Sequence, residues 1–308
     1  MQTILGSGGA IGEPLAQALT AYTKDIRLVS RNPKAVNPTD QLYPCDLMDL
    51  STIDAAVAGS EVVYVTVGFP YNLRTWQNTW PSFMRAVIDS CVRHKAKLVF
   101  FDNIYSYDPA ALSHMTEDAP LRPSSEKGKV RKQVIDMIRA GMADGSLTAL
   151  IARAADFYGP GIANSMLIET VVKPLVAGKT ANAIGALDKV HTFTYTPDAG
   201  KATALLGNTA DAYGQEWHVP TTKEKLTLRQ WMELIAREAG TPLKFRSVPR
   251  WMIKMMGWFD PVMREFPEML YQLENDYVLD STKFEKRFGI MATTPQEGVR
   301  EMVGRMKG

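Results

Sequence analysis

The sequence predicts an α/β protein built on a doubly wound, mostly parallel sheet, with a smaller C-terminal cap. Short apolar runs alternate with amphipathic segments through the first half of the chain. These runs are rich in β-branched or large apolar residues, which fits strands buried on both faces. Strands that alternate with helices form βαβ units. A glycine cluster directly after the first run supports the same fold class.

The individual strands and helices follow from these patterns in chain order. Strands are predicted at 3–5, 26–29, 62–67, 98–101 and 147–151. Helices are predicted at 13–22 and along the apolar stripe at 76–91, whose members recur every three or four positions. Pro81 lies inside that stripe and predicts that the regular helix begins near it, because a missing N–H costs nothing in a first turn.

The second half of the chain differs in composition, because proline and glycine are frequent after Gly159. One helix there has clear boundary signals, since Thr227 and Gln230 form a capping box and Gly240 ends the apolar pattern. The segment 251–259 is rich in methionine and tryptophan at helical spacing. Such a stripe is typical of a cap-domain core, and it also lines adaptable substrate pockets.

Composition excludes several classes of protein. The 308 residues contain 35 Lys and Arg against 33 Asp and Glu, for a formal net charge of +2. This balance argues against a nucleic-acid or anionic-membrane partner, and no run approaches the roughly 18–20 apolar residues of a membrane span. Two distant cysteines and four scattered histidines predict neither a disulfide framework nor a metal site. We expect a cytoplasmic protein.

A glycine-rich loop follows the first predicted strand and opens the first predicted helix. The spacing of its glycines is G-x-x-G-x-x-G. One glycine allows a tight turn, one lets backbone N–H groups approach a pyrophosphate, and the last lets the helix pack closely on the sheet. This context predicts dinucleotide binding and a Rossmann-type fold rather than an ordinary turn. The loop consists of Gly6, Ser7, Gly8, Gly9, Ala10, Ile11 and Gly12.

The end of the second strand bears on the choice of cofactor. Ser30 and Arg31 stand where an enzyme selective for NAD usually carries an acidic residue for the ribose 2′-hydroxyl. The guanidinium of Arg31 is suited to a 2′-phosphate, so the sequence favours NADP, with NAD as the alternative. Asp46 stands where a loop could reach the adenine, although its residue type also suits a helix cap.

Together these motifs resemble the extended short-chain dehydrogenase/reductase superfamily, in its NAD-dependent epimerase/dehydratase-like branch. The resemblance covers nearly the whole chain and depends on the combination of motifs. It implies hydride transfer to or from a nicotinamide. The matching segments are the glycine loop, Asp46 and Leu47 on the adenine side, Thr66, Val67 and Gly68 where a strand meets the cofactor ribose, and residues 151–161, 191–199 and 279–289.

We therefore expect a dinucleotide-binding domain formed by residues 1–158 plus about 190–220, and a substrate-binding cap formed by 159–189 plus 221–308. Relatives of this kind often pair through the two helices that flank the active-site strand. These helices correspond here to about 81–93 and 126–140, so the resemblance implies a homodimer.

The catalytic residues depart from the family pattern. The superfamily uses a tyrosine acid/base, a lysine four residues later, and a serine or threonine after the preceding strand. Here Asp102 and Asn103 stand at the serine pair, Ser125 takes the tyrosine position by spacing, and Lys129 takes the lysine position. No tyrosine occurs between positions 107 and 158. The usual catalytic set is incomplete.

Three hypotheses remain open. Tyr105, just beyond a strand end, supplies the proton; or Lys127 or Lys129 assists directly; or the fold has kept the cofactor and become a non-catalytic NADP-binding regulator or redox sensor. The favoured function is an oxidoreductase or epimerase/dehydratase-like enzyme acting on a small carbonyl or sugar-like substrate. Asp156 disfavours a nucleotide sugar, because its carboxylate would repel the phosphates.

Overall fold

The structure is a computed structural model that describes residues 1–162, 165–259 and 261–307. The chain divides into two compact units. The first unit consists of Met1–Ser106, Glu126–Arg153 and Pro197–Val219. The second unit consists of Tyr107–Ser125, Ala154–Thr196 and Pro220–Gly308.

The bounds of the regular elements follow in chain order. The strands are β1 (Gln2–Leu5), β2 (Ile26–Ser30), β3 (Gln41–Pro44), β4 (Val62–Val65), β5 (Lys97–Asp102), β6 (Ala149–Arg153), β7 (Asp156–Tyr158), β8 (Ala181–Ile184), β9 (Phe193–Tyr195), β10 (Glu216–His218) and β11 (Phe245–Val248). The α-helices are α1 (Gly12–Leu19), α2 (Ile53–Val57), α3 (Leu73–His94), α4 (Glu126–Ala143), α5 (Lys173–Val176), α6 (Thr196–Gly207), α7 (Leu228–Ala239), α8 (Arg250–Met256), α9 (Pro261–Glu265), α10 (Tyr271–Glu274), α11 (Thr282–Phe288) and α12 (Pro295–Lys307). Short 3₁₀ turns occupy Leu50–Thr52, Pro109–His114, Ala210–Ala212 and Phe266–Met269, and a π-helical turn occupies Ile168–Val172.

The first unit contains a seven-stranded sheet in the order β10-β6-β5-β4-β1-β2-β3, and every neighbouring pair is parallel. Strands β1 and β4 are buried along their whole length, as their continuous apolar runs predict. The chain order reverses at β1, which pairs with β2 on one side and β4 on the other. The predicted fold class is confirmed, and ligands of such sheets bind beyond the carboxyl ends of the strands at this reversal.

Helix α3 begins earlier than the sequence predicts. Asn72 caps it, since the Asn72 side chain accepts a hydrogen bond of 3.0 Å from the N–H of Thr75. Pro81 therefore lies in the helix interior rather than in its first turn. The buried stripe that includes Trp76, Trp80 and Phe83 continues through the proline. Packing of this stripe outweighs the backbone hydrogen bond that the proline removes. The predicted helix start near Pro81 is therefore wrong.

The second unit is built on two short parallel pairs, β7 with β9 and β8 with β11. The segment 107–125 joins this unit because the N–H of Met115 donates to the carbonyl of Val278 at 2.8 Å. The sequence-based division placed residues 107–125, 154–158 and 190–196 with the dinucleotide-binding domain. These strand and backbone pairings place them in the second unit instead.

Two other expectations for the second unit have different outcomes. The capping box of α7 is present, and Gly240 ends that helix in the left-handed conformation, as predicted. The 251–259 stripe forms α8 and the turn after it. Ile253 is buried there, whereas Trp251 and Trp258 are exposed. The expectation that the stripe forms a core is therefore wrong for these tryptophans, because only one edge of a short helix packs.

Across the residues that the structure describes, no helix combines the length and the apolar character needed to span a membrane. Cys45 and Cys91 are both buried and both free.

Candidate functional site

Two positions of the glycine loop have no room for a side chain. Gly6 has a φ of +102°, and a Cβ there would lie 2.4 Å from the Val67 Cα. A Cβ on Gly12 would lie 2.6 Å from the carbonyl oxygen of Ser7. A Cβ on Gly9 would meet only ordinary contacts, the nearest at 3.5 Å. Gly6 and Gly12 are therefore required by the loop itself, whereas Gly9 leaves space above the loop.

Two buried hydroxyl groups lie at the loop and at the neighbouring strand end. Ser7 Oγ and Ser30 Oγ are buried and have no hydrogen-bond partner among the described residues. These hydroxyls lie just after β1 and at the end of β2. Helix α1 begins at Gly12, and the side chain of Ile11 provides no cap hydrogen bond. Unsatisfied buried hydroxyls and an uncapped helix start are what a phosphate-bearing ligand would complete, so these residues fit a dinucleotide.

The remaining loop residues frame this space. Ala10 is half-buried and Ile11 is buried, whereas Gly8 is exposed. The hydroxyl of Thr66 donates to the carbonyl of Gly6 at 3.3 Å, which ties the end of β4 to the loop. Val67 is half-buried and Gly68 is exposed in the stretch that follows. The structure therefore brings the two predicted cofactor segments, 6–12 and 66–68, together.

The adenine side is more open. Arg31 is exposed directly after β2, where its guanidinium is available to a ligand phosphate. Asp46 is also exposed, and its carboxylate accepts a hydrogen bond of 3.1 Å from the N–H of Met48. Leu47 is buried beside it. Asp46 thus makes a local turn and does not cap a helix.

Asp102 lies at the end of β5 among buried charged side chains. Its carboxylate is buried and accepts hydrogen bonds from Arg131 Nε at 2.9 Å and Arg153 Nε at 3.1 Å. Arg153 also pairs with Glu216 at 3.0 Å, and the Arg131 guanidinium lies 4.4 Å from the Trp80 ring centre. We define these charged residues, Asp102, Arg131, Arg153 and Glu216, as the buried ionic network. Both oxygens of the Asp102 carboxylate are therefore engaged inside this network.

Asn103 and Tyr105 lie just after β5. The side chain of Asn103 accepts a hydrogen bond of 3.0 Å from the Tyr105 N–H, which fixes the turn. Tyr105 is half-buried, and its ring stacks on Trp76 with centroids 6.1 Å apart and an interplanar angle of 20°. The aromatic pair holds the Tyr105 ring against α3.

The two candidate lysines lie on different faces of α4. Lys129 is exposed and its ammonium pairs with Glu126 at 2.5 Å. Lys127 is fully buried, with its ammonium 4.8 Å from the centre of the Tyr71 ring. Residues two apart on a helix point about 200° apart, so only one of them can face the interior. Lys127 is therefore the lysine that faces the interior, whereas Lys129, which motif spacing selected, is exposed.

Ser125 belongs to the second unit and is buried. Its side chain hydrogen-bonds the hydroxyl of Tyr271, which also accepts a hydrogen bond of 3.2 Å from Gln272 Nε2. In the same unit Asp156 pairs with His191 Nε2 at 2.9 Å. Within the described ranges, no group of three His, Cys, Asp or Glu side chains is arranged to hold a metal ion.

The family model described as "NAD dependent epimerase/dehydratase family" matches residues 3–219. The chain belongs to the NAD-dependent epimerase/dehydratase family. This membership confirms the resemblance that the motifs predicted. It also agrees with the segments described above, because the matched range contains the glycine loop, the end of β5 and the start of α4.

The individual relatives share only about a quarter of their aligned residues with this chain. A 3-diazoavenalumate denitrifying reductase of a Streptomyces species is 26% identical over 275 residues, covering 83% of this chain and 87% of that protein. A 3beta-hydroxysteroid-dehydrogenase/decarboxylase isoform 2 of Arabidopsis thaliana is 24% identical over 297 residues, covering 85% of this chain and 51% of that protein. The chain thus spans about half the length of the plant relative.

A solved structure shows the same fold for this family member. The UDP-glucose 4-epimerase of Thermus thermophilus, in complex with NAD, matches with a TM-score of 0.80 at 17% identity. The match covers 100% of this chain and 99% of that chain. The Rossmann-type α/β architecture is therefore confirmed.

Two residues that contact the candidate site residues were not predicted from the sequence. Tyr71 lies in the stretch between β4 and α3, and its position beyond a strand end was a signal that was available. Tyr271 gave no signal, because neither motif nor spacing connects it to Ser125. The sequence left Lys127 and Lys129 as alternatives, and only the buried face of α4 distinguishes them.

Proposed function

We propose that this protein is an NADP-dependent oxidoreductase that reduces a small carbonyl compound or oxidises the corresponding alcohol. The observation that carries the proposal is the fully buried Lys127 near the start of α4. A buried ammonium is costly to keep, so its retention at the start of this helix supports a role in the site. In the family, a lysine near the start of this helix grips the nicotinamide ribose, and Lys127 is the lysine that faces inward.

The residues that would hold the cofactor are those of the glycine loop and the adjoining strand ends. The loop N–H groups and Ser7 would receive the pyrophosphate. Arg31 would pair with a 2′-phosphate, and Ser30 would add a hydroxyl beside it. Thr66, Val67 and Gly68 would border the ribose nearer the reacting end. The bound nicotinamide would supply or accept a hydride.

The names of the relatives and the charge of one side chain support the proposed substrate class. Both sequence relatives carry the names of redox enzymes, a reductase and a dehydrogenase/decarboxylase. Asp156 keeps its carboxylate half-exposed beside His191, an arrangement that suits a nucleotide diphosphate poorly. The dehydrogenase name, which refers to a hydroxyl group, and the charge of Asp156 support a carbonyl or alcohol substrate over a nucleotide sugar. The second candidate, a non-catalytic NADP-binding regulator, is favoured by the absence of a tyrosine at position 125.

We also propose a homodimer, as the family resemblance implies. The apolar stripes of α3 and α4 are buried within the first unit, so a dimer through these helices would use their outer, more polar faces. Light scattering at micromolar concentration is expected to give twice the chain mass of 34.2 kDa. A mass near that of one chain would contradict the proposal.

The function is tested by measuring binding and turnover separately. Calorimetric titration with NADPH and NADH establishes whether the dinucleotide site exists and which cofactor it prefers. Oxidation of NADPH, followed by absorbance with a panel of aldehydes, ketones and sugar nucleotides, establishes reaction class. Tight NADPH binding with turnover of a carbonyl compound is expected. Binding without any turnover would support the regulator, and absence of binding of either cofactor would overturn the proposal.

A further inference from the structure

Helix α8 and the turn after it present large apolar side chains to solvent. Trp251 and Met255 are exposed on the helix, and Trp258 and Phe259 are exposed on the turn. Trp258 is 78% exposed and Phe259 is 87% exposed, more than any other large apolar side chain that the structure describes. We define these four residues as the apolar ridge. A cluster of this kind marks a surface that binds a partner, because leaving it in water is costly.

The geometry of α8 directs the ridge outward. Residues at positions i, i+4 and i+7 lie on one side of a helix, and Trp251, Met255 and Trp258 have this spacing. Ile253 lies on the opposite side and is 1% exposed. It anchors the helix in an apolar cluster of the second unit that contains Ile184, Phe266 and Leu270. Helix α8 therefore buries one apolar side and exposes another.

Hydrogen bonds hold the turn that carries Trp258. The Gly257 N–H donates to the carbonyl of Ile253 at 3.0 Å, and the Trp258 N–H donates to the carbonyl of Met255 at 3.2 Å. The Nε of Arg264 donates to the Gly257 carbonyl at 3.0 Å. Trp258 therefore continues the helical path of α8, and its exposure follows from the fold of this segment.

The exposed charges beside the ridge are basic. Lys254 is exposed and lies three positions from Trp251 and four from Trp258, which places it on the ridge side of the helix. The flanking segments add four exposed basic residues, Lys244, Arg246, Arg250 and Arg264. The described carboxylates of the same stretch are half-buried, namely Glu265, Glu268 and Glu274, the last of which pairs with Arg250. Asp260 lies outside the described residues.

We propose that the apolar ridge docks the second unit onto the surface of a lipid bilayer that contains anionic lipids. Tryptophan has an apolar ring system with one N–H donor, and it is enriched where the hydrocarbon of a bilayer meets water. A basic side chain beside such rings pairs with anionic headgroups while its stem lies along the apolar surface. The ridge would lie in the headgroup layer without spanning the bilayer. The inference goes beyond the proposed function and does not depend on the cofactor.

The net charge of the whole chain does not decide this question. The formal value of +2, which argues against an anionic-membrane partner, is an average over all 308 residues. At physiological ionic strength, attraction between exposed charges is screened within about 8 Å. Binding to a surface therefore depends on the charges next to the ridge, and those are basic.

A second copy of the chain is the competing occupant. Two copies related by a two-fold axis use the same surface on both sides of their contact. Contact between two ridges would bring Lys254 and the flanking cations near their counterparts, and like charges repel. An anionic headgroup layer neutralises the same charges while Trp251 and Trp258 enter the interface. The lipid surface is therefore favoured.

The full-length chain is titrated with vesicles of equal parts phosphatidylcholine and phosphatidylglycerol, and with vesicles of phosphatidylcholine alone. Tryptophan emission reports the ridge, because Trp251 and Trp258 are exposed and the other four tryptophans are buried, namely Trp76, Trp80, Trp217 and Trp231. We expect cosedimentation with the anionic vesicles, a shift of emission to shorter wavelength, and loss of binding at high salt. Neutral vesicles should bind at least about tenfold more weakly.

Variants connect the binding to the ridge. Trp258→Ser should weaken binding to the anionic vesicles by at least about tenfold, because less apolar area enters the interface. Lys254→Glu should also weaken it by at least about tenfold, because it reverses a charge at the surface. Both side chains are exposed, so thermal unfolding should match that of the parent protein. Leu42→Ser and Lys24→Glu, at exposed positions of the first unit, are the matched controls and should bind as the parent does.

The inference is overturned if the anionic vesicles do not bind the parent protein, or if Trp258→Ser and Lys254→Glu bind as tightly as the two controls. Light scattering without vesicles tests the competing occupant, and the parent protein and Trp258→Ser should have the same mass. A smaller mass for Trp258→Ser than for the parent and Leu42→Ser would show that a second copy covers the ridge, which would also overturn the inference. These measurements contain no cofactor, so their failure leaves the proposed function untouched.

Discussion

The ammonium nitrogen of Lys127 lies 4.8 Å from the centre of the Tyr71 ring. This cation–π contact joins the start of α4 to the stretch that leaves β4. Lys127 is thus held in the first unit by an aromatic face, and its direction is set before any ligand binds.

Lys127→Met should weaken NADPH binding by about tenfold while leaving thermal stability unchanged or slightly raised. Methionine fills a similar volume, and it removes a buried charge whose desolvation is costly. Lys129→Met is the matched control, because that lysine is exposed on the same helix, and it should change neither quantity. Calorimetry and thermal unfolding measure both. Equal losses of affinity in the two variants would contradict the assignment of Lys127.

Gly9→Ala should separate cofactor binding from folding. A Cβ at Gly9 has only ordinary contacts in the protein, the nearest at 3.5 Å, so the melting temperature should stay within a few degrees. The same methyl group would intrude on the space above the loop, and NADPH affinity should fall by at least about tenfold. Gly304→Ala, on α12 with open space around it, is the control. Unchanged NADPH affinity in Gly9→Ala would argue against a phosphate above this loop.

Arg31→Ala should weaken NADPH more than NADH. Loss of one charge-assisted contact to a 2′-phosphate should cost about 1.5–3 kcal/mol of binding free energy, and NADH lacks that phosphate. Lys24→Ala, an exposed change before the opposite end of β2, should affect neither cofactor. Parallel titrations of the three proteins with both cofactors decide the matter. Equal losses for NADPH and NADH would rule out the 2′-phosphate role.

Asp102→Asn should destabilise the fold by about 3–5 kcal/mol, because it leaves two buried arginines without their shared carboxylate. The free energy of unfolding in urea measures this. Asp136→Asn, which breaks only an exposed pair with Lys132, should change it by no more than about 0.5 kcal/mol. If Asp102→Asn kept full stability and lost turnover instead, Asp102 would return to the catalytic set.

Cys91 should be unreactive in the native protein. Burial raises the pKa of the Cys91 thiol from 9.0 to about 12, so almost no thiolate exists at pH 8. A disulfide reagent at that pH should label Cys91 only as fast as the chain unfolds. In the unfolded chain the thiol loses its proton near its ordinary value, so the stability that Cys91 contributes below about pH 9 declines as the pH rises toward 12. Rapid native labelling of Cys91, located by mass spectrometry against Cys91→Ala, would show that the thiol is accessible.

The sequence predicted the parallel sheet and the glycine loop well, because both depend on local pattern. A continuous apolar run such as Val62–Val65 carries apolar side chains on both faces of the strand, so both faces must be buried. The glycine spacing specifies a strand-to-helix turn. The start of α3 was misjudged because the Asn72 cap and the buried tryptophans outweigh the effect of Pro81.

The catalytic residues were less predictable, and for a physical reason. Lys127 and Lys129 differ by two positions, and only the face of α4 that packs distinguishes them. The contact between Ser125 and Tyr271 depends on tertiary structure that no local spacing encodes. Asp102 is an acidic residue of the kind often found in active sites. Its carboxylate pairs with two arginines, one from α4 and one from β6, and no local pattern predicts these contacts.

The buried ionic network also governs how the first unit can open. It joins β5, α4, β6 and β10 through shared carboxylates, so none of these elements can separate alone without stranding a charge in the interior. Local fluctuations of the separate elements are therefore suppressed in favour of one concerted opening. Amide protons in these four elements should exchange with solvent as a single cooperative block, at the free energy of the whole block rather than that of its weakest member.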